Sequence, residues 1–163
     1  MIRGTCLALA LTVAPALAEE RYVGVFIGSQ HIGSDAYNDF NPGLAYGRRF
    51  AIGEGTAEWH VEGGVFYNSY REVSPIFVAG LSTGVAQIGR GEVRVGASIG
   101  TAYYRELADI LDRRNGLPNI GGFLPIGVLT AAYRTERIEY RLNVIPYGDD
   151  IDGVVNLSLA IPF

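Results

Sequence analysis

Few residues in this chain could carry chemistry. Its histidines are His31 and His60, and an Asn68-Ser69 pair follows the alternating run Val65-Phe66-Tyr67. An imidazole beside a hydroxyl is the minimal equipment for acyl transfer. The ring takes the proton of a weak nucleophile or of a water, and the hydroxyl attacks or polarises the acyl carbonyl. That chemistry requires His31, Asn68 and Ser69 to meet at one end of the fold. Loops rich in Ser, Asn and Asp present the same residues with no reaction at all, and on residue types alone both readings stand. His60 adjoins Trp59 near the start of a strand pattern, where a structural or interfacial role is expected. Asp35, Asp39 and Asn41 in one loop, with Asp149, Asp150 and Asp152 in another, would suit Ca²⁺ or ion-bridged phosphates. Solvated acidic loops are the default expectation, so no metal site is assigned and no cofactor is expected.

The elements that must position these residues are strands. Val23, Val25 and Ile27 alternate with Gly24, Phe26 and Gly28; Trp59, Val61, Gly63 and Val65 alternate with His60, Glu62, Gly64 and Phe66. The same period of two returns in 93–103 and 138–144, and period two argues strand. Helical spacing is weak except over 105–114. The patterns predict eight strands near 21–30, 43–52, 57–67, 75–87, 91–104, 121–133, 136–146 and 153–163. Each is close to the ~10 residues a tilted membrane strand needs. Short connections at 53–56, 88–90 and 134–135 alternate with longer ones at 31–42, 68–74, 105–120 and 147–152. An all-β, eight-stranded antiparallel transmembrane barrel is therefore expected, with tight turns at one end and outward loops at the other.

The ends of the chain agree with that reading. Arg3, the apolar run Cys6 to Val13 and Ala16-Leu17-Ala18 have the order of a secretory signal, so residues 1–18 are expected to be cleaved and 19–163 to form one barrel domain. No run approaches the roughly 18 apolar residues of a membrane helix. The last segment alternates Val155, Leu157, Leu159, Ile161 and Phe163 with Asn156, Ser158, Ala160 and Pro162. It resembles the carboxy-terminal strand read by bacterial barrel-insertion machinery, which implies the outer membrane and that machinery as a partner. All 13 basic residues are Arg and 17 acids leave a net charge of −4, which argues against nucleic acid as a partner.

Eight strands enclose a lumen that side chains nearly fill, or that holds one small ligand. Glu62, Arg94, Glu139 and Arg141 share the lumen-facing parity, opposite the rim aromatics Tyr46, Trp59 and Tyr140. Structural ion pairs are expected there, and a proton or ion path is the sharper alternative. Gly64, Gly96 and Gly100 fall on the same parity. They either open a slot for an acyl chain or relieve the coiling of a narrow barrel.

The stretch from Gly64 through Asn68-Ser69-Tyr70 to Pro75-Ile76 resembles the lipid A palmitoyltransferase family of outer-membrane enzymes. The similarity continues through Arg94 to Thr101, Leu117-Pro118, Phe123-Leu124-Pro125-Ile126 and Leu142 to Pro146. The resemblance implies an eight-stranded barrel that moves an acyl chain from a phospholipid to lipid A, with His, Asp and Ser essential at the outer side. Ser69 matches the family's Ser, His31 its His, and Asn68 stands where the family has Asp. Asn cannot ionise, so Asn68 is expected to orient a neighbour by hydrogen bonding. Pro42, Pro125 and Pro146 resemble the family's prolines that loosen strand pairing for lateral lipid access, and a proline does remove a ladder donor. The expectation is a monomeric lipid A acyltransferase. A non-catalytic structural or ligand-binding barrel is the alternative, and a lipid A deacylase the weaker one.

Overall fold

The computed structural model describes residues 19–33, 37–115, 120–146 and 153–163, so the expected signal peptide at 1–18 lies outside the described residues. Eight strands run β1 (Glu19–Ile32), β2 (Gly43–Ala51), β3 (Glu58–Tyr67), β4 (Val73–Ile88), β5 (Gly91–Tyr103), β6 (Phe123–Arg134), β7 (Glu139–Ile145) and β8 (Gly153–Pro162). Each pairs antiparallel with its neighbours in chain order, and β8 returns to β1 to close the barrel. In the closed order every strand has a neighbour on both sides. Beyond β8, the Phe163 amide donates to the Arg21 carbonyl.

The hydrophobicity is inside out. Ile99, Leu44, Leu81, Phe77 and Leu129 are all more than half exposed on the outer face. The buried set holds Arg49, Glu62, Arg94 and Glu139. The period-two pattern thus sends its apolar members outward, as expected from the charges on the opposite parity. No helix among the described residues is long and apolar enough to cross a membrane.

One end of the barrel carries tight turns. Gly89 adopts φ 61°, the left-handed conformation that lets β4 reverse into β5 through Gly89-Arg90. The other end carries the loops, and there one expectation changes. The connection 68–72 is no longer than the turn 52–57 at the opposite end, so loop length does not alternate strictly. It is short because the β3–β4 ladder runs up to Tyr67 opposite Val73, and Asn68 closes the turn beyond it. The helical spacing after β5 is a helix, α1 (Arg105–Asn115), with Glu106 in its positive first turn. Its Ala108 packs on Leu124 of β6, flanked by Tyr104 and Leu107.

Candidate functional site

The lumen has two halves. At the turn end, four arginines (Arg49, Arg94, Arg134, Arg141) meet four glutamates (Glu58, Glu62, Glu92, Glu139). Arg141 donates to Glu139 at 2.6 Å and to Glu62 at 2.7 Å. Arg134 spans both oxygens of Glu58 at 2.8 and 2.5 Å and also pairs with Glu139. Arg49 reaches Glu139 at 3.1 Å, and Arg94 pairs with Glu92 and lies 3.4 Å from Glu58. The guanidinium groups of Arg49 and Arg141 cover the ring of Tyr22 at 4.4 and 4.7 Å. Each charge faces an opposite one across a narrow lumen, which is what lets these groups remain buried as ions. The expected structural pairs are therefore present, but Glu62 takes Arg141 as its partner and not Arg94, which sits lower and turns to Glu58 and Glu92. Arg49, Arg134, Glu58 and Glu92 belong to the network too. Their shared lumen parity near the short turns was the signal that could have found them.

Above the ions lies a polar belt. Asn143 donates to Asn156 and Ser158 and accepts from Thr130, while His60 Nε2 lies 3.0 Å from Ser98 Oγ across Gly80 of the intervening strand β4. His60 is thus tied into the lumen wall, which fits the structural role expected of it. Apolar side chains including Phe26, Phe66, Ile76, Val78 and Leu124 wall the space above, and one cavity of about 190 Å³ runs from the ion network to the loop end.

His31, Tyr37, Asn41, Ser69 and Tyr70 line the loop end of that same cavity. His31 reaches it through a β-bulge. Phe26 of β1 pairs with Ser158 and Gly28 pairs with Leu157, so Ile27 is an extra residue. The bulge reverses the alternation, and Tyr22, Gly24 and Phe26 point inward before it while Ser29 and His31 do so after it. Without it His31 would share the outer face of Val23 and Ile27. Its imidazole stacks on Tyr37 with ring centroids 4.8 Å apart, and an edge contact at 5.4 Å continues to Tyr70.

Ser69 and Asn68 separate in role. The Asn68 side chain is fully buried in the β3–β4 turn, where Oδ1 accepts the amides of Tyr70 and Glu72 at 2.9 Å and Nδ2 donates to Ser74 at 2.8 Å. It builds the turn that presents Ser69. Arg71, at φ 63°, completes that turn. The amide that faces Ser69 belongs to Asn41: its Nδ2 lies 3.5 Å from Ser69 Oγ and donates to the Tyr67 carbonyl at 3.0 Å, while Ser29 donates to its Oδ1. Asn41 is 2% exposed and fully engaged, so it is not a ligand for an ion. Asp35, Asp149, Asp150 and Asp152 lie outside the described residues, among which no group of three or more His, Cys, Asp or Glu could hold a metal.

The prolines lie toward the loop end. Among the described residues the β6–β7 ladder begins at Leu129 opposite Val144, and the segment that follows β7 lies outside the described residues. Pro125 lies in β6 opposite Thr101 of β5, and Pro146 follows the end of β7. On the far side Pro42 precedes β2, its carbonyl accepting the Tyr67 amide at 2.9 Å. Of the glycines expected to open a slot, only Gly96 lines the cavity. A Cβ on Gly64 would lie 2.4 Å from the Leu44 carbonyl oxygen, and one on Gly100 would lie 2.0 Å from that of Phe77. Neighbouring backbone already occupies that space, so these two glycines permit tight coiling and leave no void.

Fold and site together define a closed eight-stranded barrel, polar at the loop end, apolar in the upper lumen and ionic at its floor. No protein-family model matches the chain, and no curated protein matches it.

Proposed function

We propose that this chain is a bacterial outer-membrane acyltransferase that moves an acyl chain from a phospholipid to lipid A at the loop end of the barrel. The observation that carries this reading is that His31 and Ser69 line the same cavity as the apolar upper lumen. A lipid needs both: polar groups for its ester and an apolar bay for its chain. The apolar outer face and the closed order of the strands support a bilayer setting, because an exposed apolar surface of this extent is stable in lipid and not in water. The sequence pattern of residues 1–18 supports export, and that of β8 supports recognition by the insertion machinery.

The reaction balances without any further reactant. The acceptor hydroxyl oxygen bonds to the acyl carbonyl carbon, the ester bond to the glycerol oxygen breaks, and the acceptor's proton ends on that leaving oxygen. His31 takes the proton and returns it. Asn41 Nδ2 faces the oxygen of Ser69, which leaves the Ser69 hydroxyl hydrogen free to point at the oxyanion that develops on the carbonyl. Asn68 contributes by holding the turn.

Mass spectrometry of lipid A from cells with and without the protein is the test. One added acyl mass supports transfer, one lost acyl mass indicates deacylation with water as acceptor, and an unchanged profile leaves a structural barrel. Ser69→Ala and His31→Ala should each abolish the added mass in folded, membrane-inserted protein.

A further inference from the structure

We infer that Asp39, in the loop between β1 and β2, is the carboxylate partner of the His31 imidazole. This inference rests on the catalytic reading of His31 and deepens it. Asn68 cannot ionise and both ends of its amide are engaged in the β3–β4 turn, so position 68 supplies no charge to the site. Asp39 Oδ1 lies 3.5 Å from His31 Nδ1. That nitrogen is buried and otherwise has no hydrogen-bond partner. A buried ring nitrogen without a partner is costly, and a short closure of this gap would satisfy it. Catalytic hydrogen bonds are often long before substrate binds and tighten in the complex.

The Asp39 side chain is 69% exposed, so its position depends on how the loop backbone is held. Three bonds hold it. The Asp39 carbonyl accepts the Ser29 amide at 2.8 Å, the Asn38 amide lies 3.4 Å from the Ser69 carbonyl, and Asn41 is buried between Ser29 and Ser69. Gly28 makes the first of these bonds possible, because a Cβ there would lie 2.6 Å from the Asp39 carbonyl oxygen. The bulge that turns His31 inward is also what presents Gly28 to the loop. Strand and loop are thus fitted so that one irregularity places the imidazole and the carboxylate together, with Tyr37 stacked on the ring. Asp39 is a positioning residue. It fixes the proton on Nδ1 and leaves Nε2 as the base, the arrangement a histidine needs to take a proton from a hydroxyl.

The test uses full-length protein refolded in detergent micelles and labelled with ¹⁵N in its two histidines. In the parent, His31 should show the neutral tautomer protonated at Nδ1. Asp39→Asn should lose that preference, Asp39→Glu should keep it, Gly28→Ala should weaken it by displacing the loop, and the His60 signals should not move. With phospholipid and lipid A supplied, Asp39→Asn should lower kcat about 100-fold or more with KM changed less than about threefold. Asp39→Glu should recover most of the rate, and Glu54→Gln at the opposite end should leave it unchanged. His31 signals identical in the parent and Asp39→Asn would overturn the inference, as would an active parent whose kcat survives Asp39→Asn. A parent that transfers no acyl chain while its His31 tautomer still depends on Asp39 would sink the acyltransferase reading and uphold the pairing.

Discussion

The two ends of the lumen bury polar groups by opposite strategies. At the turn end, Arg141 alone pairs with two glutamates, and each of Glu58, Glu62, Glu92 and Glu139 has a guanidinium within salt-bridge distance, although Arg49 Nη2, Arg94 Nε and the Tyr22 hydroxyl are buried there without a hydrogen-bond partner. At the loop end, His31 Nδ1 is buried and 3.5 Å short of its nearest charge, and Ser69 Oγ is 3.5 Å from the amide that faces it. A network in which each buried charge has an opposite charge beside it resists change. Neutral groups held just short of a partner lower stability slightly and are ready to bond with something else. Both ends contain a bulge, at Gly84–Ala86 of β4 and at Phe26–Gly28 of β1, but only the second sets a histidine beside a turn and a loop. The difference teaches that stability and reactivity are separated along the axis of one small barrel.

Breaking the floor should have the largest effect. Arg141→Ala leaves Glu62 and Glu139 short of their shared partner and should cost about 3–5 kcal/mol, read as a lower midpoint in urea unfolding followed by gel mobility. If the loss is under about 1 kcal/mol, the network is not what holds the lumen. His31→Ala should do the reverse. Lipid A modification should fall about 100-fold or more, while the unfolding midpoint shifts by no more than about 1 kcal/mol. Equal loss of stability and activity would erase the contrast between the ends.

Asn68→Asp sharpens the comparison because it brings charge to the loop end. It removes the donor to Ser74 and buries a carboxylate, so the expected outcome is a loss of about 1–3 kcal/mol and no gain in transfer, measured by unfolding and by lipid A profile on the same preparation. A gain in transfer would show that residue 68 does act on His31. The smallest effect is expected at Arg71→Gly, which removes a side chain from a left-handed position. Stability should rise by less than about 1 kcal/mol, with the turn and the activity retained.

Much of the barrel was legible in the sequence, since period-two alternation over eight runs, with charges on the parity opposite the aromatics, determines strands, faces and strand order between short turns. Ser69 at the loop end of β3 was legible for the same reason, because β3 is regular and its residues can be counted inward or outward. His31 was not. Counting by two from Val23 puts it outside, and only the extra residue Ile27 in the pairing of β1 with β8 turns it inward. A bulge depends on how two strands far apart in sequence fit against each other, so no local pattern records it. Asn68 was legible as a polar residue beside Ser69, but its duty in the turn appears only when Ser74, Tyr70 and Glu72 are in place around it. The sequence by itself determined which residues face outward and which face the lumen wherever a strand is regular, because alternation is a property of the single strand. Only the tertiary structure decided that Glu62 pairs with Arg141, that Gly64 and Gly100 are filled by neighbouring backbone, and that Asp39 meets His31, since each depends on the register and approach of segments that the chain brings together only when the barrel closes.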